Sequence, residues 1–334
     1  MEGSAGLPFD FPPKGKYKGV HTNVKRSSLL PGLLLALALT LTGCGTTPSE
    51  ASSDQAPAPQ EGQFVFTREN FPRLNGSTST VPLAQAIASV LLGETREEVA
   101  DLTEFSRTTQ SYRTLIYGES DLLISAEPAD SIWQEKEDVG FEWEMDPFAI
   151  DGLVFVVNAD NPVDSLTTEQ IQKIYIGEIT NWSQVGGDDV DIVPFQRNEE
   201  AGSQTAFKNL VMKDLPIMTP PTDYVVDSMM GLIEAVESYN DSPGAIGYTM
   251  YYYANDMEMA DGLKILAVDG VTPSADTIRS GAYPFLNNYY VVMKAGLPGD
   301  DPTSVLYHWI LSDEGQKLVS HEGYVSVSAV EDEA

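Results

Sequence analysis

Apolar residues along this chain fall into blocks of two kinds. Short unbroken runs read as buried strands, and apolar residues three or four apart read as one face of a helix. Strands are predicted at Phe64-Val65-Phe66, Asp121-Leu122-Leu123-Ile124, Leu153 to Val157, Asp191-Ile192-Val193, Ala245 to Tyr248, Lys264 to Val268 and Tyr289 to Met293. Helical spacing runs over 81–92, closed by Gly93, and over 171–176, 203–212, 229–238, 303–311 and 314–320, with a further stretch through Tyr112 and Leu115. Thr167 and Gln170 have the spacing of a capping box ahead of the helix at Ile171. Strands alternating with helices predict an α/β protein with mostly parallel sheets. The body of about 270 residues is near the size at which one core divides, so two sheets are expected.

The N-terminal pattern differs. Leu29 to Leu41 is an apolar run and follows Lys14, Lys16, Lys18, Lys25 and Arg26. The run is shorter than the roughly 20 residues of a spanning helix and fits an export signal. It ends in Leu41-Thr42-Gly43-Cys44, which resembles the bacterial lipobox. That resemblance implies a lipid on the Cys44 thiol and cleavage that leaves Cys44 as the N-terminus. Ser, Thr, Pro, Ala, Gln and Glu dominate from Gly45 to Gly62, so residues 1–43 are expected to be a signal peptide and 44–62 a solvated tether.

Charge and composition narrow the chemistry. Lys+Arg number 19 against 50 Asp+Glu, a net charge of −31, which disfavours nucleic acid as a partner. Residues 1–43 carry five basic and two acidic side chains, so their removal takes the charge to −34. Cys44 is the one cysteine, which excludes a disulfide within the chain and any multi-cysteine metal site. His21, His308 and His321 form no zinc pattern, and neither a metal nor a cofactor is expected.

Four segments place hydroxyl or glycine residues around helix starts or strand ends: Gly76-Ser77-Thr78-Ser79-Thr80, Ser106-Arg107-Thr108-Thr109, Ser125-Ala126-Glu127-Pro128, and Arg197 to Thr205 with Gly202-Ser203-Gln204-Thr205. A helix start offers unpaired N–H groups and a positive dipole end, and hydroxyls add neutral donors. Taken singly, each segment reads as a cap, a surface charge or a turn. Together, in an α/β chain, they can wrap a tetrahedral oxyanion.

The order and wording of these segments resemble the PstS-like phosphate-binding lipoproteins of bacterial ABC transporters, from about Asn70 to Val325. The most specific stretch is Ala149-Ile150-Asp151-Gly152-Leu153-Val154-Phe155-Val156-Val157-Asn158, followed by Asn161-Pro162-Val163, Leu166-Thr167, Ile174-Tyr175, Gly177, Ile179-Thr180-Asn181-Trp182 and Val185-Gly186-Gly187. The resemblance implies a two-lobed type II periplasmic-binding-protein fold, hinged, with lobe I at 63–148 plus 255–334 and lobe II at 149–254. It implies inorganic phosphate as ligand, a membrane-embedded ABC permease as partner, membrane attachment through Cys44, and a monomer. Ser77, Thr78 and Ser79 match the family's first phosphate loop, and Thr108 and Thr109 stand in the place of its second. Arg197, Gly202, Ser203 and Thr205 match its arginine and Gly-Ser-Gly-Thr motif, with Gln204 replacing the inner glycine and two more residues after the Arg. The family's proton-accepting Asp sits in a Ser-Asp-x-Pro turn. Here Glu127 is one place later, so it either takes that role or is a turn residue, the acceptor then falling to Asp121, Glu199 or Glu200.

The same fold serves a second reading, an oxyanion sensor or scavenger lipoprotein not coupled to import. A phosphoester hydrolase is disfavoured by the lack of a Gly-x-Ser-x-Gly elbow, of a His beside a nucleophile, and of a carboxylate–His cluster. Tyr248, Tyr251, Tyr252 and Tyr253 either line the cleft or, the role expected of them, pack the core and the joint between lobes, and Trp133, Trp143, Trp182 and Trp309 read as packing residues.

Overall fold

The apolar runs form the interior strands and the helical stretches cover them. The computed structural model describes residues 64–220, 224–238, 243–257 and 262–328; the leader, Cys44 and the tether lie outside these. In chain order the elements are β1 (Leu74–Gly76), α1 (Val81–Leu92), α2 (Thr108–Ile116), β2 (Leu122–Ala126), α3 (Asp130–Val139), β3 (Trp143–Asn158), β4 (Ser165–Leu166), α4 (Thr168–Tyr175), β5 (Val193–Pro194), β6 (Gln196–Arg197) and α5 (Gly202–Ala206), which runs on as a π-helix through Met212. They continue with β7 (Val225–Val226), α6 (Met229–Ser238), β8 (Ala245–Met250), β9 (Leu263–Ile265), β10 (Ala267–Val268), α7 (Ala275–Arg279), β11 (Leu286–Lys294), α8 (Pro302–Leu311), α9 (Asp313–His321) and β12 (Val325–Ser326).

The long strand β3 belongs to both halves of the body. Its first part, to Gly152, pairs antiparallel with β11, and from Leu153 it pairs antiparallel with β8. On one side the order continues through β11 to β2 and β1; on the other, through β8 to β5. The pairs β1–β2 and β5–β8 are parallel, as the alternation of strands and helices predicts. The strands that carry the chain between the halves, β3 and β11, are antiparallel to their neighbours. The change of partner falls between Gly152 and Leu153. The return comes later than the expected 255. Leu263–Ile265 still pairs with the second part of β3, and Ala267–Val268 with β4, so these residues sit with the second half.

Burial explains the elements. In β2 every residue is buried, with Leu122 and Ile124 facing one apolar cluster and Leu123 another. A strand covered on both faces reads as an unbroken apolar run. Helix α1 occupies its predicted span and ends where Gly93 adopts φ 67°. The capping box forms at α4: Thr167 Oγ1 accepts from the Gln170 amide at 3.1 Å, and Gln170 Oε1 accepts from the Thr167 amide at 2.8 Å. Phe64-Val65-Phe66 is not a strand; the edge strand is β1, and Phe66 is buried edge-on against Phe71 instead. Helix α3 escapes the apolar pattern because Ile132 is its one fully buried residue.

Candidate functional site

Three hydroxyl-bearing loops converge where the two halves of the body meet. The first follows β1. A Cβ on Gly76 would overlap the Ile124 carbonyl oxygen, so only glycine lets β1 lie this close to β2. Ser77 then joins the loops: its Oγ lies 2.9 Å from both Thr108 Oγ1 and Ser125 Oγ, and accepts from the Ala126 amide at 2.8 Å. The second loop opens α2 with Arg107 at φ 74°, a strained conformation for a side-chain-bearing residue. The third opens α5, where Gly202 meets Thr108 so closely that a Cβ would collide with its hydroxyl.

These loops wall a cavity of about 570 Å³. Of the predicted binding residues, Ser77, Thr78, Ser79, Thr108, Thr109, Arg197, Gly202 and Ser203 line it. Glu127, Gln204 and Thr205 do not. Along a strand successive side chains alternate, and Ala126, not Glu127, takes the cavity-facing place at the end of β2. The Glu127 carboxyl is half-buried, and desolvation with the nearby charge of Asp130 raises its pKa. Thr205 faces a smaller outer recess beside Glu199 and Lys208. Gln204 is fully buried behind the site, where its Oε1 accepts from the Tyr248 hydroxyl and, at 3.3 Å, from the Arg197 amide.

Arg197 is held from three sides. Its Nε donates to the Val226 carbonyl at 2.9 Å, Nη2 to the Asp227 carbonyl at 3.1 Å, and Nη1 to Ser203 Oγ at 3.2 Å. Only 5% of the residue is exposed, and desolvation brings its pKa down to about 10, which leaves it charged at neutral pH. Tyr248 sets this position from below. Its ring stacks on Phe207 with centroids 4.2 Å apart, and its hydroxyl accepts from the Arg197 amide at 3.1 Å. It is thus a packing residue, as expected, that also supports the site.

Several lining residues were not among those predicted, chiefly Arg113, Ser228 and the three methionines Met229, Met230 and Met250, while Arg107 and Asn198 belong to segments singled out for other residues, and Glu200 and Tyr253, named as alternatives, line the cavity as well. Arg107 carries the clearest missed signal: a cation beside a hydroxyl loop in a chain with far more acids than bases. Among the described residues neither Arg107 nor Arg197 lies within ion-pair distance of a carboxylate. Contacts also span the cavity. Arg107 Nη1 donates to the Asp227 carbonyl at 3.2 Å, Thr109 Oγ1 to the Glu200 carbonyl at 2.7 Å, and Arg113 bridges Glu135 and Glu200 at 3.0 Å each. The halves are therefore closed on each other.

Two α/β halves around a cavity of hydroxyls and guanidiniums define a solute-binding class of protein. The sequence pattern of the PBP superfamily domain matches residues 53–314, and the chain belongs to that superfamily. It is similar to the phosphate-binding protein PstS of Bacillus subtilis, 24% identical over 310 residues that cover 91% of this chain and 96% of that protein. Among solved structures, a phosphate ABC transporter substrate-binding protein with bound phosphate from Clostridium perfringens matches with a TM-score of 0.61 and 25% identity, covering 76% of this chain and 98% of that one. An ABC-type phosphate transport receptor from Vibrio cholerae matches with a TM-score of 0.56 and 25% identity, over 75% and 98% of the two chains.

Proposed function

We propose that this protein captures inorganic phosphate between its two lobes and delivers it to an ABC importer. The observation that carries this is the pair of guanidiniums, Arg107 and Arg197, facing one cavity with no carboxylate partner among the described residues, in a chain of net charge −31. An anion there is satisfied by hydroxyls of Thr108 and Ser203 and by a charged group already fixed in place. Preorganised donors of this kind bind an anion without the cost of reordering long side chains. The names of the relatives support phosphate as that anion and delivery to a transporter as the role. Calorimetry with phosphate, sulfate, molybdate and a phosphonate on protein beginning after Cys44 tests this; tight binding of phosphate is the expected result, and heat-silent phosphate titration overturns it. Binding without chemistry is part of the same proposal, so a chromogenic phosphoester should not be turned over.

The proposal includes the membrane anchor. Cys44 stands two small residues after the apolar run and precedes a polar tether, the arrangement expected of a lipidated N-terminus. Cys44→Ser is expected to release the protein to the medium or leave it unprocessed. A variant that still fractionates with membranes at wild-type mass removes Cys44 from that role.

A further inference from the structure

We infer that Asp151 sets the cavity's preference for phosphate over sulfate, acting through Tyr289 on the Ser79 hydroxyl; this rests on the reading of the cavity as a phosphate site.

The connection is a line of three side chains from the buried joint between the halves to the cavity wall. Asp151 is 2% exposed and lies on β3 beside the change of partner strand. Its Oδ1 accepts from the amides of Gly152 and Tyr252, at 2.7 and 3.1 Å. Its Oδ2 lies 2.8 Å from the Tyr289 hydroxyl, which is also 2.8 Å from Ser79 Oγ. Ser79 lines the cavity.

Each hydroxyl has one proton, and an ionised carboxylate has none. With Asp151 ionised, Tyr289 must donate to it. Tyr289 then accepts from Ser79, and Ser79 has only lone pairs left for the cavity. Hydrogen phosphate brings a proton to meet those lone pairs. Sulfate brings none, and faces an acceptor with an acceptor. The carboxylate's character thus reaches the ligand without its charge touching it, and no proton is transferred.

Of the other candidate carboxylates three are ion-paired, Glu200 within the cavity wall itself, where its partner Arg113 also lies. Asp121 pairs with Arg73 at 2.6 Å, Glu199 with Lys208 at 3.0 Å and Glu200 with Arg113 at 3.0 Å, while Glu127 is outside the cavity lining.

Burial pushes the Asp151 carboxyl up to about 7, against the amide and phenol hydrogen bonds that pull it down. Asp256 faces it from the segment after β8, Tyr251 and Tyr252 from the same segment, Tyr289 from β11, and Tyr324 from the turn before β12. Burial raises the pKa of all four phenols, so they stay neutral while Asp151 titrates. Behind Tyr252, Glu322 is paired with Arg96 at 2.5 Å, and on α7 Asp276 is paired with Arg279 at 3.3 Å.

Asp151→Asn is the decisive variant. Its amide oxygen can keep the Gly152 and Tyr252 hydrogen bonds, while its NH2 donates to Tyr289 and turns the whole line around, so that Ser79 donates to the ligand. Phosphate and sulfate are titrated by calorimetry into the full-length protein in detergent, as wild type, Asp151→Asn and Tyr289→Phe. At about pH 8, where the Asp151 carboxyl is mostly ionised, the phosphate-to-sulfate affinity ratio is expected to fall about tenfold in Asp151→Asn, with sulfate bound more tightly than by wild type, because a donor replaces an acceptor. Tyr289→Phe cuts the line and should lower the ratio with less gain for sulfate. Sulfate does not titrate near neutrality, so its wild-type affinity should rise about tenfold from about pH 8 to about pH 6, as Asp151 takes up a proton, and stay flat in Asp151→Asn. An unchanged ratio in both variants, at wild-type melting temperature, overturns the inference; should Asp151→Asn fail to fold, Tyr289→Phe decides alone. A wild type that binds neither anion overturns the phosphate reading itself, and the inference with it.

Discussion

Replacing Arg197 with alanine is expected to weaken phosphate binding by roughly 2–5 kcal/mol, the range for truncating one partner of a buried, hydrogen-bonded charge pair. That is about 30-fold to a few thousand-fold in Kd. The size follows from burial. Arg197 is 5% exposed, so its charge acts on the ligand with little screening by water. Its fork is already fixed by the Val226 and Asp227 carbonyls and Ser203 Oγ, so binding orders almost nothing new. Arg107 is exposed and does not compensate in full, because solvent screens it. Arg197→Lys should fall between wild type and alanine, since an ammonium keeps the charge and loses the planar fork. Calorimetry with phosphate measures both, and circular dichroism checks that the fold survives. Wild-type affinity in Arg197→Ala would place the anion elsewhere in the cavity. Ser203→Ala is expected to cost less, about 1–3 kcal/mol, as it deletes one neutral partner.

The cavity lining was legible in the sequence wherever its signal is local. Ser77 to Ser79, Thr108 and Thr109, and Gly202 with Ser203 each announce themselves as small hydroxyl or glycine residues ahead of a helix, and each reaches the cavity. Strand and helix spans were legible for the same reason: α1 and α6 coincide with their apolar periodicity. What depends on direction was not. Glu127 and Thr205 stand within one or two residues of lining positions, but a strand alternates and a helix turns, and both side chains point away. Long-range partners were less legible still. Tyr289 and Asp151 are 138 residues apart in the chain, and only the antiparallel pairing of β11 with β3 brings them together. In sequence each is one more residue in an apolar run. Arg197 stands out in the sequence by its motif, whereas the Tyr248 and Gln204 contacts that hold its backbone come from packing across the core.

Two glycines at the cavity should respond in opposite ways to the same added methyl group. A Cβ on Gly202 collides with the Thr108 side chain, and these residues belong to opposite halves of the body. The collision exists only when the halves are closed. Gly202→Ala is therefore expected to leave the ligand-free melting temperature near wild type and to weaken phosphate binding, by about 1–3 kcal/mol if the overlap costs what overpacking usually does. A Cβ on Gly76 meets the backbone carbonyl of Ile124 in the neighbouring strand of the same half. No side-chain rotation relieves that contact, whether the halves are open or closed. Gly76→Ala must separate β1 from β2, and with it displace Ser77, whose hydroxyl joins Thr108, Ser125 and the Ala126 amide. It is expected to lower stability without ligand by about 1–3 kcal/mol or more, and to reduce phosphate affinity as well. Thermal unfolding with and without phosphate separates the two cases. If Gly202→Ala lowered the ligand-free melting temperature as much as Gly76→Ala does, the contact with Thr108 would have to persist in the unliganded protein, and closure could not be the step that brings the two loops together.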